Sequence, residues 1–247
     1  MTAPPYLAPI VEERSDAVYW AGVFETGYEK LVFSVSDHRV VRESLCRLAR
    51  KHACRSVIIV GCGLNHSLAD ALLQHCRSIK HVICTDYPDV IKLAGAHANG
   101  AVTHVAWDMT TDFLGARVDC VIAVNSIVSS EDRLNRLRLE KIRNAIRPGG
   151  HFLGVFPTVM VDVELDALGR GLDSVYDVRR NAVLERKQNA WQVQYGPILL
   201  RQIVRSIFRS EPAIELIFID PDADTTNYDV YEGGQMPIYE LLVECEC

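Results

Sequence analysis

Residues 56–67 read SVIIVGCGLNHS, and the rest of the chain is arranged around them. Val57, Ile58, Ile59 and Val60 form a β-branched apolar run, short enough for a buried strand. Gly61 and Gly63 follow directly, so the strand ends in a glycine turn. Residues 67–76 (SLADALLQHC) then repeat apolar side chains at helical spacing, and the turn feeds a helix whose first N–H groups can receive the polar end of a ligand. Strand, glycine turn and helix together point to a nucleotide-type cofactor site. Glycine turns also serve plain chain geometry, so this stretch alone does not decide the matter.

The same rhythm continues downstream. Residues 81–85 (HVICT) form a second apolar run that ends at Asp86, about 20 residues beyond the glycines, where a carboxylate can accept hydrogen bonds from both hydroxyls of a ribose. The competing role is a helix cap, because Asp86 or Asp89 could open a helix over 90–98 that Asn99-Gly100 ends. A third strand is expected over 102–107 with Asp108 and Met109 at its end, and a fourth over 118–124 (VDCVIAV) followed by Asn125-Ser126. The helix over 134–146 is accompanied by Arg133, Arg136, Arg138, Lys141, Arg143 and Arg147, a charge pattern read as a solvated face in preference to an RNA-contacting one. Arg147-Pro148-Gly149-Gly150 breaks that helix ahead of a fifth strand over 151–156. Alternation of this kind predicts a parallel sheet with helices on both faces.

The flanks behave differently. Pro4, Pro5 and Pro9 oppose a helix at the start, whereas Trp20, Phe24 and Tyr28 recur at helical spacing and predict a helix packed on the core in preference to a lid over a ligand. Ser36 or Asp37 is expected to cap a further helix that carries Val40, Val41, Leu45, Leu48 and Ala49 on one face through about His52. Residues 157–197 are mixed and polar, with a helix expected around 163–172, and 197–209 (PILLRQIVRSIFR) is strongly amphipathic until Pro212 stops it. Two β-runs, 214–219 and 238–245, are joined by an acidic loop without a helix and should pair antiparallel. In that loop Asp220, Asp222 and Asp224 have calcium-loop spacing, but Thr225 and Tyr231 stand where a glycine and a bidentate glutamate are needed, so the loop reads as a solvated connection.

With 247 residues and 49% hydrophobic content the chain can bury a sizeable core. Its 26 Lys plus Arg against 32 Asp plus Glu give a formal charge of -6, which argues against general affinity for nucleic acid. No basic start, signal segment or membrane-length apolar run is visible, so a cytoplasmic protein without membrane contact is expected. The eight cysteines include no C-x-x-C pair and read as small buried apolar residues; the terminal Cys245-Glu246-Cys247 has poor zinc spacing, and no metal ligand is assigned.

A dinucleotide dehydrogenase would place a third glycine where His66 stands. Instead, VGCG at 60–63, CTDY at 84–87, the WD pair at 107–108 and RPGG at 147–150, with the antiparallel finish, resemble the class I S-adenosylmethionine-dependent methyltransferase family over about residues 55–157. The resemblance implies an α/β, Rossmann-like fold: a seven-stranded, mostly parallel sheet with an antiparallel C-terminal strand pair and helices on both faces. It divides one domain into a helical, aromatic cap segment (1–54), a cofactor-binding core (55–157), an insertion or lid with the amphipathic helix (158–212) and the closing strands (213–247). It further implies that Gly61, Cys62 and Gly63 approach the methionine end of S-adenosyl-L-methionine, that Asp86 binds the ribose with Tyr87 beside the adenine, that Asp108 and Met109 face the adenine, and that Asn125 contacts the methionine end. Ile59 occupies the place of an acidic residue common in the family, and Asn65 that of a small one, so a polar group from the N-terminal segment is expected to stand in.

A sulfonium methyl is already activated, so the protein's work is to align an acceptor in line with the S–CH₃ bond and to exclude water. The implied reaction is methyl transfer to an O or N atom of a small-molecule acceptor. A base is optional; His66, His104, His151, Tyr28 and Tyr195 are candidates, none singled out by spacing, and no catalytic residue is assigned. Acceptor choice should come from 15–35 and 157–210, where 191–200 (WQVQYGPILL) reads equally as a lid piece and as core packing. Asn125-Ser126-Ile127-Val128 lacks the Asn-Pro-Pro-Tyr pattern of amide and base-amino methylation. A protein methyltransferase, a cofactor-binding module without catalysis and, less strongly, an NAD-dependent dehydrogenase are the alternatives. Acceptor identity and oligomeric state are left open.

Overall fold

The central strand β1 (Ser56–Val60) splits the core in two. Successive strand side chains point to opposite faces, so Val57 and Ile59 join one apolar cluster while Ile58 and Val60 join the other. All four are at most 5% exposed, and full burial of such a side chain contributes about 1.5–3 kcal/mol. The computed structural model from which these positions come describes residues 16–25, 35–95, 100–167, 175–177, 179–185, 190–219 and 238–247.

Around β1, the helix α1 (Asp16–Glu25) is followed by a short 3-10 turn (Val35–Asp37) and α2 (Arg39–Lys51). After β1 come α3 (Ser67–His75), β2 (His81–Asp86), α4 (Pro88–Ala94), β3 (Val102–Ala106), β4 (Val118–Val124), α5 (Asp132–Ala145) and β5 (Ile146–Phe156). The seven-stranded sheet has the order β3-β2-β1-β4-β5-β10-β9, in which β9 (Ala213–Ile219) and β10 (Ile238–Glu246) close the chain. Strands β1 to β5 pair in parallel, and β10 lies antiparallel between β5 and β9, as the sequence reading expects. α2 and α3 cover one face through Leu45, Leu48 and Leu72. α5 and α7 (Pro197–Phe208) cover the other through Leu139, Ile142, Ile203 and Phe208. Among the described residues no helix is long and apolar enough to cross a membrane.

Several local expectations change. Asp37 does not cap α2: the His38 ring nitrogen accepts the Val40 N–H at 3.3 Å, and the Asp37 carboxylate instead accepts from the side chains of Asn65 and Ser67. The helix expected over 90–98 starts at Pro88 and ends at Gly95, whose φ of +69° only glycine adopts readily; Asn99 lies outside the described residues. RPGG does not separate helix from strand. β5 begins at Ile146 and carries the motif as an irregularity, its pairing with β4 jumping from Val118↔Ile146 to Cys120↔His151. The glycines are needed there, since Gly149 has φ +74° and a Cβ on Gly150 would lie 2.7 Å from the Asp119 carbonyl oxygen. The buried Asp119 also accepts the Arg55 and Ser56 N–H groups and pairs with Arg147 at 2.7 Å, which ties the motif to the start of β1.

Between β5 and the amphipathic helix the helix is α6 (Val159–Ala167), earlier than expected. A small antiparallel sheet of β6 (Val175–Asp177), β7 (Ala182–Glu185) and β8 (Ala190–Val193) follows, which the polar composition did not signal. Trp191, Val193 and Tyr195 are buried with Phe152 and α7, and Val193 N–H donates to the Ser129 carbonyl, so 191–195 is core packing. The acidic loop with its calcium-like spacing lies outside the described residues.

Candidate functional site

Strand order reverses at β1, because β2 and β3 lie on one side of it and β4 and β5 on the other. Chain ends leaving β1 and β4 therefore diverge, and a crevice opens above their C-terminal ends, the usual ligand position in such sheets. A single pocket occupies it. Its floor is Gly61, Cys62 and Gly63 after β1, Asp86 and Tyr87 after β2, Trp107 and Met109 after β3, and Asn125 and Ser126 after β4.

The glycines are dictated by this geometry. Gly61 and Gly63 have φ of +63° and +60°, and a Cβ on Gly61 would come 2.3 Å from Ser126 Cβ. The β1 and β4 ends thus approach so closely that only glycine fits, and the turn's backbone is exposed to whatever occupies the pocket. Asp86 is 8% exposed, and its carboxylate accepts the Gly63 N–H and the Tyr87 N–H, each at 2.8 Å. It holds the turn instead of capping a helix. Asn65 accepts the Ser67 N–H at 2.7 Å and, with Ser67, donates to Asp37, so the 3-10 turn before α2 and the glycine turn form one unit.

Asn125 sits in the left-handed region at φ +46°, which asparagine tolerates better than most residues. Its amide N–H₂ donates to Glu240 Oε1 of β10 at 3.2 Å, while its Oδ1 and the Ser126 hydroxyl are buried without a hydrogen-bond partner. Two orphaned polar oxygens in a pocket wall mark a place where a ligand's donor can bond. A hydrogen bond that the Cys62 thiol donates to Cys84, with burial, pushes the Cys62 thiol well above its ordinary range, so Cys62 is a neutral wall of the turn and no nucleophile.

Strand order, reversed β10 and the glycine turn facing a carboxylate after β2 decide the architecture. This is the fold of the class I S-adenosylmethionine-dependent methyltransferases. Among solved structures with this methyltransferase fold, the chain is similar to Burkholderia thailandensis 1,6-didemethyltoxoflavin-N1-methyltransferase with bound 1,6-didemethyltoxoflavin and S-adenosylhomocysteine (TM-score 0.61, 14% identity, 97% of this chain and 92% of that one). It is also similar to the PH0226 protein of Pyrococcus horikoshii OT3 (0.59, 17%, 89% and 98%). A third is the magnesium protoporphyrin IX methyltransferase of Synechocystis PCC 6803 with bound S-adenosylhomocysteine (0.58, 12%, 93% and 97%). No protein-family model and no curated protein matches the sequence.

Of the eight residues expected to hold the methyl donor, seven line this methyltransferase-fold pocket: Gly61, Cys62, Gly63, Asp86, Tyr87, Met109 and Asn125. Asp108 does not; its Oδ1 accepts the Thr110 N–H at 2.8 Å and the Thr110 hydroxyl at 2.6 Å, closing a local turn. None of the described base candidates lines the pocket. His66 and His104 contact one another behind the turn, His151 stacks on His52 at the other end of β5, and the Tyr195 hydroxyl donates to Asp132. Tyr28 lies outside the described residues.

Three contributors were missed or misread. Trp20 and Phe24 of α1 line the pocket, so this helix covers the site as well as packing beside α4. Arg138 is 2% exposed, also lines the pocket, and donates to the Tyr87 hydroxyl at 2.8 Å; it is not part of a solvated face. A signal existed, since Asn135, Arg138, Leu139 and Ile142 share one helical stripe and all are buried. Glu240, 5% exposed, stands behind Asn125 on β10 and carries no sequence motif.

Proposed function

We propose that this chain is a methyltransferase that uses S-adenosyl-L-methionine and transfers its methyl group to an O or N atom of a small molecule. The observation that carries the reading is the pocket wall itself: a turn in which Cβ atoms are excluded at Gly61, the Asp86 carboxylate beside it, and the orphaned Asn125 Oδ1 and Ser126 Oγ opposite. These features fit the cofactor's backbone-hugging chain, its ribose diol and its ammonium group, in that order.

In this reading the Gly61–Gly63 backbone and Asn125 Oδ1 hold the methionine end, with the Glu240 carboxylate behind Asn125 favouring a cation there. This supplies the negative character missing at Ile59, which lines the pocket as an apolar wall. Asp86 accepts from the ribose hydroxyls, and Tyr87 and Met109 flank the adenine, with Tyr87 steadied by Arg138. Bound S-adenosylmethionine supplies an electrophilic methyl. The chain's own part is to align the acceptor and to exclude water with Trp20, Phe24 and Val128. Among the described residues no histidine lines the pocket, which favours acceptors whose lone pair is already available over those that need a strong base.

The small-molecule acceptor class is supported by the neighbours whose names give toxoflavin and protoporphyrin substrates. A cytoplasmic location accords with this chemistry. Titration calorimetry with S-adenosylmethionine, S-adenosylhomocysteine and NAD tests the reading: binding of the first two and not the third is expected. No binding at millimolar S-adenosylmethionine would overturn it. Incubation of extract with methyl-labelled cofactor then separates small-molecule label from label in protein bands, and binding without any transfer would indicate a cofactor-binding module.

A further inference from the structure

Behind the glycine turn, on the face of the sheet covered by α3, three metal-ligating side chains converge from three separate elements. His66 immediately precedes α3, Cys84 lies in β2, and His104 faces Cys84 across the β2–β3 pairing. One ligand atom from each lies within 4.8 Å of the others. His66 Nδ1 and His104 Nε2 are 3.3 Å apart. Cys84 is fully buried, and both histidines are half-exposed, which leaves an entry path from solvent.

We propose that His66, Cys84 and His104 form a binding site for a borderline-soft divalent cation, Zn²⁺ by its donor set. Two imidazoles and one thiolate suit zinc, and tetrahedral Zn–N bonds of about 2.0–2.1 Å place two nitrogen ligands roughly 3.3 Å apart, the spacing found here. The Cys84 sulfur closes onto the ion with a small rotation of the half-exposed imidazoles. On ligation the Cys84 S–H bond breaks, its proton goes to solvent and the sulfur bonds the metal; water takes the fourth position. The Cys62 thiol, in hydrogen-bond contact with Cys84, serves as the outer partner of that sulfur. An ion there ties the end of the glycine turn to β2 and β3, the two strands on that side of the pocket. The proposal is independent of methyl transfer, since none of the three ligands lines the cofactor pocket.

The test uses the purified full chain, stripped with a chelator and titrated with Co²⁺ and then Zn²⁺. One equivalent of Co²⁺ should give a thiolate-to-cobalt charge-transfer band that Zn²⁺ bleaches, and Zn²⁺ should raise the melting temperature by several degrees. Cys84→Ser should abolish the band, His104→Ala should weaken Zn²⁺ binding at least tenfold, and Cys247→Ser, remote from the site, should leave both unchanged. His104→Ala alters a half-exposed position and keeps the test decisive if Cys84→Ser fails to fold. No band in the unmodified chain overturns the proposal, as does a band that survives His104→Ala at full affinity or vanishes with Cys247→Ser.

Discussion

The Asp86 carboxylate accepts the Gly63 N–H at 2.8 Å, joining the end of β2 to the turn that follows β1. Asp86 also lines the pocket, and in the proposed reading the carboxylate that shapes the turn would accept from the ribose diol as well. Asp86→Ala should weaken S-adenosylmethionine binding by about 10- to 100-fold, the loss expected when charge-assisted hydrogen bonds are removed. Calorimetric titration measures it; unchanged affinity would remove Asp86 from the site.

Gly61→Ala should lower stability and abolish cofactor binding. The new Cβ meets Ser126 at 2.3 Å, and φ of +63° costs an L-residue about 1–2 kcal/mol. Adding Ser126→Gly removes the clash but not the backbone strain, so thermal melts of the double variant should recover only part of the loss.

Arg138 is buried and donates to the Tyr87 hydroxyl at 2.8 Å. Tyr87→Phe takes away that acceptor and should destabilise the chain by about 1–3 kcal/mol in denaturant melts. Combining it with Arg138→Met, which replaces the buried cation by an apolar side chain of similar length, should recover much of this. Additive losses would show that the two residues do not act as a pair.

Trp20 is half-buried on α1 and lines the pocket. Trp20→Ala should leave the melting temperature nearly unchanged while weakening retention of the ligand in the pocket several-fold. The ratio of cofactor affinity in variant and parent, measured by calorimetry, checks this.

His151 stacks on His52 with ring centroids 3.6 Å apart, and burial together with the His52 charge holds its pKa below 6.5. The folded chain binds this proton less readily than the unfolded one. The contribution is therefore fully present above the unfolded value of 6.5 and is lost as pH falls toward the lower folded value. His151→Asn should flatten that part of the profile, seen in melts between about pH 5 and 8.

Much of the architecture was legible because its signals are local. A buried β-branched run, a glycine pair and a carboxylate at the end of the next strand fall within 30 or so residues, and each obeys a short-range rule. Asp37 was misread as a cap for the converse reason: its partners Asn65 and Ser67 lie a whole strand away in sequence. Arg138 reads as solvated because its charge outweighs its place on the buried stripe, and the hydroxyl it donates to belongs to Tyr87, which follows β2 and is remote in sequence. The cluster of His66, Cys84 and His104 has no spacing motif at all, since parallel pairing, and not chain proximity, brings β2 and β3 together.

By itself the sequence determined the strand and helix order of the seven-stranded sheet, the glycine turn and seven residues that line the pocket, because hydrophobic periodicity and turn chemistry are properties of neighbouring residues. Only the tertiary structure decided which distant groups build that pocket: Arg138 against Tyr87 and Trp20 in its lining, with Glu240 bonded behind Asn125. Those contacts depend on how sheet order and helix packing fold distant segments onto one crevice, and no local pattern of residues encodes that distance.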